Sequence, residues 1–391
     1  MNPKLIPRFN LDYGIPDLYC GVTSIFKKNL DHIPLTSIFG KRRFYFTNSG
    51  RTSIYVLLRT LELPKNSEIG TPLYSCPSVF EAIIQAGHKP CFLDINFENY
   101  TLDPEDLEKK IDDIKALIVI HTFGRPAEMD EILNIASDIP LIEDCAHSML
   151  SGYKGRVTGT LGDAAIFSFR SGKYISAGEG GMIILNNGEI EEGIEREIGI
   201  LPEYSASNEL QHLCFVYLKS LLYHRPWYGM FAKTVGERLD DKMNISGKKG
   251  FKAAKIRKSD LSVFLKKLSV FKGLVEKQRK NSKLLLRELE NAGLTLPYEA
   301  ENTYCNYYLF PVLFDSKEKR DFVYNYLKKH NIDAAKLFSE TPDRARLHYG
   351  YEGNCPNTEE ISRRILTVPN YYTLTEQEIR RIADLVREAV I

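Results

Sequence analysis

The sequence predicts an α/β protein: a large domain on a mostly parallel sheet, followed by a smaller C-terminal α+β domain. Three observations carry this. The first half alternates strand-like and helix-like segments. Its segment KALIVIH (115–121) is a continuous apolar run, the mark of a strand covered on both faces, and IPLIED (139–144) follows as a second buried strand. The chain, at 391 residues, is longer than one small core needs.

The elements follow in order. RTSIYVLLRTLEL puts Ile54, Leu57, Leu58 and Leu61 on one helical stripe, with Asn48, Ser49 and Gly50 before it as cap and turn residues. KPCFLDI (89–95) is a strand and PEDLEKKI a helix. KALIVIH, helical PAEMDEILNIA and IPLIED continue the alternation. DAAIFSFR and GGMIILN are two strands joined by a turn that carries Lys173. Over about 200–254 no period is clear, and helices and loops packed on the core are expected. A long helix is predicted over roughly 259–292. YYLFPVLF then reads as a strand, KEKRDFVYNYLKKH as a helix and IDAAKLF as a strand. The last helix opens with a capping box, Thr375 and Glu378, and turns Ile379, Ile382, Ala383 and Val386 inward. The boundary is set at 254/255, giving units 1–254 and 255–391.

Composition excludes several classes. Hydrophobic and charged fractions of 43% and 26% are those of a globular protein, and a net charge of +1 gives no electrostatic case for nucleic acid. No apolar run is long enough to span a membrane. The seven cysteines form no CxxC pair and no zinc spacing. No metal is expected, and the odd thiol count without a signal peptide suggests a reduced, cytoplasmic setting. No GxGxxG follows the first strand, which disfavours a nicotinamide dehydrogenase.

Parallel sheets gather functional groups at the carboxyl ends of their strands. Three groups stand there. The turn Asn48–Thr52 opens a helix, whose N–H groups can hold a phosphate. Asp144 ends IPLIED, with His147 three residues on, read as one helical face. Lys173 follows DAAIFSFR and precedes a glycine cluster. Ser168 could add a hydroxyl. Taken singly, these are as well explained as two caps and a surface lysine. Together they are what pyridoxal phosphate needs: an amine for the aldehyde, a carboxylate for the ring nitrogen and a phosphate cup.

The stretch IEDCAHSMLSGYKGRVTGTLGDAAIFSFRSGKYISAGEGGMIIL resembles the core signature of the DegT/DnrJ/EryC1/StrS aminotransferases, sugar aminotransferases of the fold type I pyridoxal-phosphate superfamily. NSGRTSIYVLL, IHTFGRPAEMDEI, IRKSDLSVFLKKL and RRILTVPNYYTLTEQEI resemble further family segments, over about 40–200 and 255–391. The resemblance implies the fold type I architecture, pyridoxal 5'-phosphate as cofactor and transfer of an amino group, glutamate being the donor, to a keto-sugar carried on a nucleotide. It implies that Lys173 anchors the cofactor covalently and moves protons. Asp144 holds the ring nitrogen, His147 lies near the ring hydroxyl, and Ser168 with Gly50, Arg51 and Thr52 binds the phosphate. Cys76 holds the place where the family stacks an aromatic ring. Lys255 stands where a family Asn reaches the partner subunit's phosphate. A homodimer with the site at the subunit interface is implied. A sugar dehydratase of the same family carries His in place of the lysine, so Lys173 argues against one. A non-catalytic regulatory protein on the same fold is the other alternative.

Overall fold

The computed structural model describes residues 4–27, 33–233 and 250–390. Seven strands form the main sheet: β1 (Arg43–Thr47), β2 (Glu68–Pro72), β3 (Lys89–Leu93), β4 (Ile114–Ile120), β5 (Leu141–Asp144), β6 (Ala164–Ser168) and β7 (Gly181–Leu185). Their order is β1-β7-β6-β5-β4-β2-β3. β7 runs antiparallel to both neighbours, and the pairs from β6 to β3 are parallel.

Side-chain alternation explains why this sheet is covered twice. On β6, Ala164 and Ile166 pack into one core while Ala165 and Phe167 pack into the opposite one. On β7, Ile183 and Leu185 join the first, and Met182 and Ile184 the second. Successive strand residues point to opposite faces, so both faces must be apolar and both need helices over them. The helices used below are α1 (Ile15–Ile25), α2 (Gly50–Thr60), α3 (Pro77–Gln85), α4 (Ala206–Tyr223), α5 (Lys258–Leu289), α6 (Lys317–Lys329), α7 (Thr341–His348) and α8 (Glu376–Val390). α2 buries Ile54, Leu57 and Leu58 against the first core. α5 buries Val263, Phe264, Leu268 and Phe271 in the second.

α5 then continues into a third core, where Leu285 and Leu289 meet the antiparallel pair β8 (Phe310–Leu313) and β9 (Ile365–Val368). α6 and α8 complete this C-terminal unit. Glu378 donates its N–H to Thr375 Oγ1 at 3.2 Å and accepts from the Thr375 N–H at 3.0 Å, so the capping box forms. Ile379, Ile382, Ala383 and Val386 are buried as the period requires.

Three local expectations are corrected. IDAAKLF is not a strand: it makes single bridges at Ile332 to Ile6 and at Ala335 to Thr367. The buried carboxylate of Asp333 ties it instead to Arg8 (2.8 Å), Lys233 (2.7 Å) and the Tyr228 hydroxyl (2.5 Å), a demand no β-ladder meets. Asp144 and His147 do not share a helix, because β5 runs into a turn closed by Ser148 N–H on Cys145 O. The stretch 200–254 is more regular than expected: Ser205 caps α4, and a π-helical turn spans Tyr228–Ala232. α4 buries Leu213, Val216 and Ser220, the last accepting the Tyr13 N–H, but Phe215, Leu218, Leu221 and Trp227 stay exposed. Residues 234–249 of that stretch lie outside the described residues.

Candidate active site

The carboxyl ends of the central strands open onto one cavity of about 340 Å³. Ser49, Gly50 and Arg51 enter it from the β1–α2 turn, Ser75 and Cys76 from the β2–α3 turn, Asp144 and His147 from the end of β5, and Ser168, Arg170 and Lys173 from the end of β6. Phe338 and Arg344 reach in from the C-terminal unit. Sheet topology therefore brings together side chains up to about 300 positions apart in sequence.

The phosphate-cup end is built by close packing. Ser49 caps α2, its Oγ accepting the Thr52 N–H at 3.1 Å. The helix itself uses neither the Gly50 nor the Arg51 N–H, so both are available to an anion. A methyl on Gly50 would stand 3.1 Å from Ser168 Cβ, and one on Gly181 would stand 2.4 Å from Ser49 C. Gly178, at φ +108°, would drive a methyl to 2.4 Å from Asp260 Oδ1. The glycine cluster after Lys173 thus presses chain against chain behind the cavity. It lines no part of the cavity.

Asp144 is buried at the end of β5, and its Oδ1 accepts the Ala146 N–H at 2.9 Å. Burial pushes its carboxyl up, while that hydrogen bond and the Lys173 charge pull it down. Beside it, Glu143 is fixed by bonds from His121 Nε2 (2.9 Å), Gly159 N (2.8 Å), Leu161 N (2.6 Å) and Gly162 N (2.9 Å). Burial opposes its ionisation, but the His121 bond and the backbone donors outweigh it and hold it low. His121 Nδ1 accepts from Ala127 N at 3.1 Å, which leaves Nε2 to donate to Glu143. With Cys145 these two form a buried group of possible metal ligands, yet the His121 nitrogens and both Glu143 oxygens are already engaged.

Lys173 sits on a turn whose N–H donates to Arg170 O at 2.8 Å. Its side chain lines the cavity, and protein packs around its amine. Burial lowers its pKa; Cys76 and Asp144 oppose that shift, and Arg170 adds to it. The amine lies 6.0 Å from the Tyr308 ring, whose hydroxyl donates to Gly172 O at 2.6 Å. His147 is buried and held neutral, first by desolvation and then by the Lys173 charge. Its ring lies 5.0 Å from Tyr308 and parallel to Phe338 at 6.3 Å.

Of the sequence-predicted site residues, the cavity gathers Gly50, Arg51, Cys76, Asp144, His147, Ser168 and Lys173. Thr52 is buried behind it, its hydroxyl donating to Asn48 Oδ1 at 2.6 Å. Lys255 lies outside it and pairs with Glu203 at 2.8 Å. Sequence reasoning missed Arg170, Tyr308, Phe338 and Arg344. Arg170 stood inside the motif and passed as a strand residue. The other three come from the C-terminal unit, where no local pattern marks them.

The residues fit pyridoxal phosphate. Among the lining groups the cations Arg51, Arg170, Lys173 and Arg344 outnumber the carboxylates Glu81 and Asp144, a formal surplus of two positive charges. A phosphate monoester brings about −1.5 to −2. Burial disfavours the charged forms of both the amine and the carboxylate, and an aldehyde for the one and a ring cation for the other would relieve this.

A model of the DegT/DnrJ/EryC1/StrS aminotransferase family matches residues 35–387. An uncharacterized protein of Methanocaldococcus jannaschii is 30% identical over 88% of this chain and 84% of its own length. The GDP-perosamine synthase of Escherichia coli O157:H7 is 23% identical over 87% of this chain and 84% of its own. The putative sugar aminotransferase Spr1654 of Streptococcus pneumoniae, solved in its PLP-form, shares the fold with a TM-score of 0.77 at 16% identity, over 99% of this chain and 98% of its own. The cofactor of these enzymes is pyridoxal 5'-phosphate. By its sequence and by the constellation around Lys173, the chain belongs to the DegT/DnrJ/EryC1/StrS aminotransferase family.

Proposed function

We propose that this aminotransferase moves an amino group from glutamate to a keto-sugar carried on a nucleotide, in the making of an amino sugar for a surface polysaccharide or a secondary metabolite. The observation that carries the reading is Lys173: an amine of lowered pKa in a cavity that also holds a buried carboxylate and an open helix start. The relatedness to a GDP-perosamine synthase supports a nucleotide-linked acceptor.

Pyridoxal phosphate, when bound, supplies an aldehyde for amines and a ring that withdraws electrons. Gly50, Arg51 and Ser168 would hold its phosphate and Asp144 its ring nitrogen. Facing that nitrogen, the Asp144 carboxyl would be drawn back down into its charged form, and the carboxylate would favour the protonated nitrogen. Lys173 acts at Nζ as nucleophile and then as the base that takes a proton from the substrate carbon and returns it nearby. The neutral His147 would help hold the ring without adding charge.

We also propose a homodimer with the site at the subunit interface, which the exposed apolar side chains of α4 support. A cytoplasmic setting is supported by the seven cysteines, none of them paired. Addition of glutamate to the cofactor-loaded protein tests the reading: its visible absorbance bleaches, and a keto-sugar nucleotide restores it. Bound cofactor that no amino acid bleaches would favour the regulatory alternative. Release of water from the sugar without uptake of nitrogen would favour the dehydratase.

A further inference from the structure

Arg170 stands out among the cavity cations. Arg51 is held by Glu81 and lies over the Phe251 ring at 4.4 Å. Arg170, by contrast, is exposed at the mouth of the cavity, and among the described residues no side chain is in hydrogen-bond or ion-pair contact with its guanidinium. Its charge is nevertheless felt inside, where it lowers the pKa of Lys173 and opposes the upward shift of Tyr308. Its backbone carbonyl accepts the Lys173 N–H, so guanidinium and reacting amine rise from one turn.

We propose that Arg170 is the specificity residue that holds the α-carboxylate of the amino donor. The inference rests on reading this cavity as a transaminase site. In an amino acid the carboxylate is attached to the carbon that bears the reacting nitrogen. The group that grips it must therefore stand next to the amine that exchanges with that nitrogen. Arg170 does so, and it offers five N–H donors in a planar fork matched to a carboxylate. The cofactor phosphate has its own cup, in which Gly50 and Arg51 of the β1–α2 turn close over Ser168 at the end of β6. The diphosphate of a nucleotide-linked sugar is a second anion that could suit a guanidinium. It is set off from the keto carbon by the sugar ring, whereas the donor carboxylate is one bond from the reacting carbon, and the test below separates the two.

The test uses the cofactor-loaded protein and glutarate, a dicarboxylate with no amine to react. Calorimetric titration gives its Kd for wild type, Arg170→Met and Arg170→Lys. The expected result is a loss of about ten- to a hundred-fold in glutarate affinity for Arg170→Met. Arg170→Lys falls between, since it keeps charge without the fork. Bleaching by an alkylamine that lacks a carboxylate is expected to slow far less than bleaching by glutamate. Melting temperature and cofactor uptake serve as controls for the fold. Glutarate binding unchanged in a cofactor-loaded Arg170→Met protein overturns this proposal alone. So does a loss that falls on a nucleoside diphosphate sugar while glutarate binds as before. A wild-type protein that takes up no cofactor overturns the transaminase reading beneath it.

Discussion

Lys173 owes its chemistry to its surroundings, and those surroundings set how it responds to pH. A lowered pKa means that the neutral, nucleophilic amine is present at lower pH than in a free lysine. The rate at which the protein captures pyridoxal phosphate covalently therefore rises with pH and levels off below ~10.4, the value of an unperturbed lysine. Asp144 works against the shift, so Asp144→Asn moves that midpoint lower still, as stopped-flow absorbance over a pH series will show. The same change removes the charge that holds the ring nitrogen and is expected to cut kcat by about 10²–10³-fold. Glu143 gives a stability prediction of the opposite sense. Its folded pKa lies below the unfolded one, so its contribution is present above ~4.3 and is lost as pH falls through the folded value. Glu143→Gln turns one acceptor into a donor facing other donors. It is expected to cost about 3 kcal/mol at neutral pH in urea denaturation, with the loss shrinking in acid. At this scale the sequence was readable where function and local motif coincide. Asp144 and Ser168 each end a recognisable strand, and Lys173 stands on the turn after one. Phe338 was not readable: its backbone lies at φ +56°, which no residue pattern announces, and its role depends on a cavity wall from the other unit.

The elements show why glycine clusters mislead when read alone. Gly181 is needed because β7 passes directly over the Ser49–Gly50 turn. Gly181→Ala is expected to push that turn away, lowering stability by about 1–3 kcal/mol and weakening phosphate and cofactor binding together. Denaturation and titration of inorganic phosphate into the cofactor-free protein check both halves. Strands and helices with a clear period, such as β4 and α8, were legible because burial on one or both faces writes itself into the sequence. IDAAKLF has the same apolar look but hides a buried Asp333 that must be met by Arg8, Lys233 and Tyr228. Those partners lie over 300 and 100 positions away, beyond any local pattern.

The molecule as a whole is held by one long helix. We take the chain as two units that divide near residue 255, with α5 as the stem of the second. Because α5 lays Leu268 into the sheet's second core and Leu289 into the C-terminal core, disturbance of either end reaches both. Leu268→Ala and Leu289→Ala are each expected to cost about 2–5 kcal/mol and to lower the midpoint of a single unfolding transition. Two separated transitions would show that the cores melt apart. The active site depends on that coupling, since Phe338 and Arg344 come from one unit and Lys173 from the other. The central claim is that this cavity exists to hold pyridoxal phosphate on Lys173. Borohydride reduction of the cofactor-loaded protein, followed by peptide mass spectrometry, tests it most directly. One stoichiometric adduct is expected on Lys173, absent from Lys173→Ala. A protein that carries no adduct, or carries it on surface lysines alone, would contradict it.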